Sequence, residues 1–160
     1  LAGALFVSAP AYAQTTSDSG TDLPEGARLA NLAFDSVDAD GNDYVDRVEM
    51  ERQRAGIFFS QDSDESGKVE LDEFLAWDFG FTNQADAEGK RLAYDTALKV
   101  VFSCWDTSSN GALTELEHQD AMKADIKRAD HNRDGVLERD EFVQGYSVLV
   151  AIRTALKPEE

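Results

Sequence analysis

The chain has 160 residues and a formal net charge of −17, with 32 Asp and Glu against 15 Lys and Arg. Hydrophobic residues make up 42% and aromatics 9%, which excludes an acidic disordered tail, and the length suits one domain or two small lobes rather than a large enzyme. Such a charge balance repels nucleic acid and anionic membrane and favours cations or basic partners.

Residues 1–13 (LAGALFVSAPAYA) carry no charge and end in the small-x-small pattern Ala11-Tyr12-Ala13. They read as the apolar part and cleavage site of a secretory signal, too short to span a bilayer. The other reading is a short apolar element of the fold. Residues 14–21 then form a polar, flexible leader, and the protein is expected to be exported, periplasmic or secreted. No other stretch is a candidate membrane span. Pro24 suits the N-terminus of a first helix.

Four twelve-residue segments follow one pattern: DADGNDYVDRVE from Asp38, DSDESGKVELDE from Asp62, DTSSNGALTELE from Asp106 and DHNRDGVLERDE from Asp130. Each opens on Asp, has oxygen side chains at positions 3 and 5, an aliphatic residue at 8 and Glu at 12. The first two start 24 residues apart, and so do the last two. This spacing answers the needs of a hard cation, which takes six to eight oxygen ligands at about 2.3–2.6 Å. A sharply turning loop points residues 1, 3 and 5 inward, adds the carbonyl of residue 7, and closes with both oxygens of Glu at 12. The expected ligands are Asp38, Asp40, Asn42, Tyr44 and Glu49 in loop one, and Asp62, Asp64, Ser66, Lys68 and Glu73 in loop two. In loop three they are Asp106, Ser108, Asn110, Ala112 and Glu117, and in loop four Asp130, Asn132, Asp134, Val136 and Glu141. Gly67, Gly111 and Gly135 stand at position 6, where the turn needs a positive φ. Loop one has Asp43 there and Gly41 two places earlier, so Asp43 must enter the left-handed region at a cost of about 1–2 kcal/mol.

These loops resemble those of the EF-hand superfamily, and the calmodulin-like pattern covers nearly all of the chain after its leader. The resemblance implies an all-α fold, a compact helical bundle whose apolar faces meet in one core. Residues 22–81 would hold the first pair of hands and 82–160 the second. Phe34, Phe58, Phe102 and Ile126 precede the loops by four residues, and Met50, Phe74, His118 and Phe142 follow them, as the buried faces of amphipathic helices. Residues 81–87 read as the turn between halves, with Asn83 or Asp86 able to cap the next helix. Cys104, the single cysteine, excludes an internal disulfide and lies at helical spacing from Leu98 and Val101, so it is expected in the core. His118 and His131 stand apart from any nucleophile. No catalytic residue is expected, and the chain reads as a non-enzyme.

Only twelve residues separate Glu49 from Asp62, and again Glu117 from Asp130. Two three-turn helices and a bend do not fit. Adjacent hands must share one connecting helix, which places their loops at its opposite ends. An up-and-down bundle then pairs loop one with loop four and loop two with loop three, setting Val45 beside Leu137 and Val69 beside Leu113. Gly56 is the place where the first connector could break instead. This short spacing is similar to that of the lanmodulins, exported bacterial proteins with four hands that select lanthanides. Their loops carry Pro at position 2, where this chain has Ala39, Ser63, Thr107 and His131.

Fourteen carboxylates occupy positions 1, 3, 5, 9 and 12 of the four loops. Four divalent ions would take the formal charge from −17 to −9. Up to four Ca2+ ions are the expected cofactors, with a lanthanide ion as the runner-up and a buffer or sensor as the role. A third reading is an interaction module whose surface calcium orders for a protein partner. The apolar tail from Phe142 to Leu156 is expected to cover the core.

Overall fold

A computed structural model describes residues 25–157, so the signal, leader and Pro24 readings lie outside the described residues. The element order is α1 (Glu25–Val37), β1 (Tyr44–Val45), α2 (Arg47–Gln61), β2 (Lys68–Glu70), α3 (Leu71–Ala76), α4 (Thr82–Ala87), α5 (Arg91–Trp105), β3 (Ala112–Thr114), α6 (Glu115–Ala129), β4 (Leu137–Glu138), α7 (Arg139–Gly145) and α8 (Ser147–Ala155). The architecture is the expected all-α bundle, with strands of two or three residues only.

The end of each loop starts the helix that follows it. Asp46 caps α2 by accepting from Val48 N and Glu49 N, both at 2.8 Å, while Glu49 accepts from Asp46 N at 3.0 Å. Thr114 and Glu117 repeat this reciprocal arrangement at the start of α6. Positions 9 and 12 of the loop are thus also N-cap and N3 of a helix, the pair of places where a capping box satisfies orphan N–H groups.

Helices α2 and α6 each run 15 residues without a break and end on Asp62 and Asp130, the first residues of the next loops. One helix therefore serves two loops in each half. Gly56 stays inside α2, because its neighbours supply the helix and its single propensity cost of about 1 kcal/mol is too small to break it. The pairing follows. Strand β1 lies antiparallel to β4, with Val45 opposite Leu137, and β2 lies antiparallel to β3, with Val69 opposite Leu113. All four side chains are buried.

A single core runs through both halves. At the end of loops one and four, the Phe34 and Phe142 rings meet edge to face at 5.6 Å. At the other end Phe74 meets Phe102 at 5.5 Å and Trp105 at 5.9 Å. Each buried ring contributes roughly 1.5–3 kcal/mol relative to exposure. Val148, Leu149 and Ile152 of α8 are buried in this core and Leu156 closes it, as the apolar tail requires.

Three expectations are corrected. Residues 82–87 form helix α4 rather than a turn, with Ala85 buried, and the chain reverses after it at Gly89, whose φ is +66°. Neither Asn83 nor Asp86 caps α5; its N-cap is Lys90, which makes no side-chain cap. Cys104 is exposed. Helical spacing from Leu98 and Val101 placed it near the buried stripe, but Phe102 and Trp105 complete that stripe and turn Cys104 outward.

Candidate metal centre

In every loop the first Asp and the last Glu are held by backbone N–H groups before any ion is considered. Asp38 accepts from Gly41 N and Asn42 N on Oδ1, at 2.9 and 3.1 Å, and from Asp43 N on Oδ2 at 3.0 Å. Asp62 accepts from Ser66 N at 2.8 Å and Gly67 N at 2.9 Å. Asp106 accepts from Asn110 N and Gly111 N, and Asp130 from Gly135 N. The closing Glu reaches back across the loop: Glu49 to Ala39 N, Glu73 to Ser63 N, Glu117 to Ser108 N and Glu141 to His131 N, at 2.8, 2.8, 2.9 and 3.0 Å. Backbone N–H groups thus bind the first and last carboxylates of each loop.

Those turns use two left-handed residues per loop, not one. Position 6 is Asp43 (φ +65°), Gly67, Gly111 or Gly135. Position 4 is Gly41 (φ +70°), Glu65 (φ +59°), Ser109 (φ +55°) or Arg133 (φ +63°). Asp43 does enter the left-handed region, as required. Yet loop one is no more strained than the others: each loop has one glycine and one non-glycine at these two places, and loop one has them exchanged. The displaced Gly41 was the only sequence sign of the second turn.

Two groups of three carboxylates converge. Asp38, Asp40 and Glu49 offer oxygens all within 4.8 Å of one another, and so do Asp62, Asp64 and Glu73. Among the described residues no third such group occurs. Loop three brings Asp106 and Glu117 together with Ser108, whose hydroxyl donates to Asp106 at 3.3 Å. In loop four, Asp134 accepts from Val136 N at 3.0 Å and from Asn132 Nδ2 at 3.0 Å, and stays out of such a triad. Asp130 nevertheless has a buried Oδ1 without a hydrogen-bond partner. Asn42 and Asn110 each accept from the N–H of position 7, Tyr44 and Ala112, at 2.8 and 2.9 Å, while Ser66 donates to the Lys68 carbonyl at 3.2 Å.

Hydrogen bonding tunes two of the closing carboxyls. Backbone N–H groups of Thr114 and Ser108 hold Glu117 at about 2. Desolvation raises Glu73, but donors from Ser63 and Glu70 outweigh it and bring Glu73 to about 2. The side-chain hydrogen bond that Glu70 shares with Glu73 in turn pushes Glu70 up. Carboxylates kept ionised and all-oxygen donors fit a hard cation such as calcium or a lanthanide, and an unpartnered Asp130 oxygen fits an ion at loop four. Sulfur and imidazole are absent from the four donor sets. His131 lies at the edge of loop four, its ring Nδ1 2.6 Å from the Ala129 carbonyl.

His118, next to Glu117, is buried between the rings of Phe58 and Trp105, at 5.5 and 5.3 Å. Desolvation, with Arg54 nearby, lowers it to about 4. It fills the place that Met50, Phe74 and Phe142 fill after the other loops.

No protein-family profile matches the chain, and no solved structure matches it. The chain is similar to troponin C, isoallergen Bla g 6.0301, of Blattella germanica, with 27% identity over 145 residues, 76% of this chain and 92% of that protein. This likeness and the acidic loops together support an EF-hand relationship.

Proposed function

We propose that the protein binds calcium through its four EF-hand-like loops and does so outside the cytoplasm, as a buffer or sensor. The observation that carries this reading is the pair of three-carboxylate clusters, Asp38/Asp40/Glu49 and Asp62/Asp64/Glu73, at matching loop positions. Like charges so close repel one another, and a divalent ion removes that repulsion. Each occupied site stabilises the folded chain by roughly 2.7 kcal/mol when free metal exceeds the dissociation constant a hundredfold. The metal-free chain is therefore less helical, and calcium restores the helix. The similarity to troponin C supports the same reading. Export rests on the apolar start of the chain alone.

A lanthanide is the second reading, favoured by the carboxylate density of loops one and two. Calorimetric titration of the metal-free chain with calcium and, separately, with terbium separates the two. Calcium binding at two or more sites, with one site lost in Glu73→Gln, is the expected result. Heat from terbium but none from calcium selects the second reading, and no heat from either contradicts both.

A further inference from the structure

The strand pairs set the turn of each loop against its partner loop. Tyr44 faces Glu138 and Val45 faces Leu137. One residue beyond each end of this ladder, position 6 of one loop meets position 10 of the other: Asp43 with Arg139, and Gly135 with Arg47. The second ladder, with Lys68 facing Thr114 and Glu70 facing Ala112, brings Gly67 to Glu115 and Gly111 to Leu71 in the same way. Three of these four crossings have glycine at position 6. The fourth sets opposite charges against each other, and it is the one where Asp43 replaces the glycine.

Arg139 fills that crossing. Its Cζ lies 4.2 Å over the ring of Phe34, which is fully buried. Nη1 donates to Asp35 Oδ1 at 2.6 Å and to the Asn31 carbonyl at 3.4 Å, toward the end of α1. Nη2 lies 3.6 Å from Asp43 Oδ1. Arg139 thus touches the chain just before loop one's first expected ligand, Asp38, and just after its third, Asn42. Loop four puts it there, since Arg139 opens α7 immediately after Glu138, whose N–H donates to the closing Glu141 at 3.2 Å. At the other end of the bundle the matching Glu115 pairs with Arg54 of α2 instead, at 3.3 Å.

We propose that Arg139, a residue of loop four, is a positioning residue of metal site one. It holds the entry to loop one at Asp35 and the left-handed turn at Asp43, whose N–H donates to Asp38 at 3.0 Å. A loop ordered beforehand has less freedom to lose when the ion arrives, so it binds more tightly. Asp43 then does what glycine cannot: it ties the turn to the partner loop. Charge alone acts in the opposite sense, because a cation beside loop one repels calcium and its removal would tighten the site. Water and salt screen that repulsion, with Asp43 85% exposed, whereas the packing of Arg139 on Phe34 is not screened. The proposal rests on the calcium reading of the loops.

Calcium titration of the full chain, followed through the backbone amides of loops one and four by NMR, compares the parent with Arg139→Gln, Arg139→Lys and Asp35→Asn. Affinity at loop one is expected to fall at least about threefold in Arg139→Gln, while loop four, to which Arg139 belongs, changes less than about twofold. Arg139→Lys keeps the charge but not the planar fork, and is expected to restore only part of the loss. Asp35→Asn is expected to weaken loop one in the parent and to add nothing in Arg139→Gln. Circular dichroism checks the fold of each variant, and Arg139→Lys carries the test if Arg139→Gln does not fold. Unchanged or tighter binding at loop one in Arg139→Gln would overturn the proposal, and tighter binding would assign the effect to charge. Equal weakening of loops one and four would also overturn it, as a general loss of α7. A parent that binds calcium at neither loop contradicts the calcium reading and this proposal together; one that binds at both, with loop one indifferent to Arg139, contradicts this proposal alone.

Discussion

At the end of the bundle formed by loops one and four, eight carboxylates occupy positions 1, 3, 5, 9 and 12; at the end formed by loops two and three there are six. The closing glutamates differ in the opposite sense. Glu73 and Glu117 receive hydroxyls as well as backbone N–H groups: Ser63 at 2.8 Å, Thr107 at 3.3 Å and Thr114 at 2.8 Å. The donors to Glu49 and Glu141 are backbone N–H groups throughout. One end has more charge to neutralise, and the other has more hydrogen bonds already in place. Attraction for a cation and readiness to receive it are separate properties, and four copies of one loop divide them unequally. The end with loops one and four should therefore lose more order when metal is removed.

The largest expected effect lies beneath the better-ordered end. His118 is buried with both ring nitrogens unpartnered and has its pKa lowered from 6.5 to about 4. Between those values the unfolded chain takes up a proton that the folded chain refuses. Its contribution is fully present above pH 6.5 and is lost as the pH falls toward 4, by about 3 kcal/mol in all. His118→Phe places at this position the residue that follows loops two and four, and should remove that part of the acid sensitivity. Urea unfolding of both proteins from pH 7 to pH 4 checks it; parallel stability curves would contradict the account of His118.

A second substitution weakens the opposite end. A side chain added at Gly145 would collide with the Cβ and Cα of Ala129, where α7 meets the end of α6. The corresponding place after loop two holds Trp77, whose indole donates to Ser60 at 3.0 Å. Gly145→Ala should cost about 1–3 kcal/mol by overpacking and lower calcium affinity at loop four more than at loop two. An unchanged melting temperature would show that the two helices separate without penalty.

Much of this molecule was legible because its constraints are local. Loop spacing, the oxygen positions and the twelve-residue connectors are distances along the chain, and they led to the shared helices and to Val45 opposite Leu137. What escaped depends on contacts between distant segments or on backbone angles that ordinary residues disguise. Glu65, Ser109 and Arg133 adopt positive φ without a glycine to announce it. Cys104 carries no sign of which side of its helix α8 and α6 will cover. Helix α4 is too short for its periodicity to show, and its turn-forming residues Asn83 and Asp86 pointed elsewhere. The hydroxyls of Ser63, Thr107 and Thr114 gain meaning only once the closing Glu lies within reach.

The smallest expected effect concerns those disguised angles. Arg133→Gly relieves a left-handed residue at loop four and removes a positive charge beside the site. Because glycine also frees the unfolded chain, the gain is below about 1 kcal/mol, or up to roughly fivefold in calcium affinity. Asp43→Gly brings the same relief to loop one but removes an acid, so it should tighten binding less. Competition titrations that rank the two in the reverse order would mean backbone strain is larger at position 6 than at position 4.

The central claim is that the sites work as cross-bundle pairs, loop one with four and loop two with three, although the chain joins one to two and three to four. Calcium titration of Glu141→Gln, followed through the backbone amides of each loop by NMR, tests it most directly. The account predicts that loop four loses its site and that loop one, hydrogen-bonded to it through β1 and β4, weakens with it, while loops two and three fill as in the parent. Weakening of loop three along α6, with loop one unchanged, would contradict the claim.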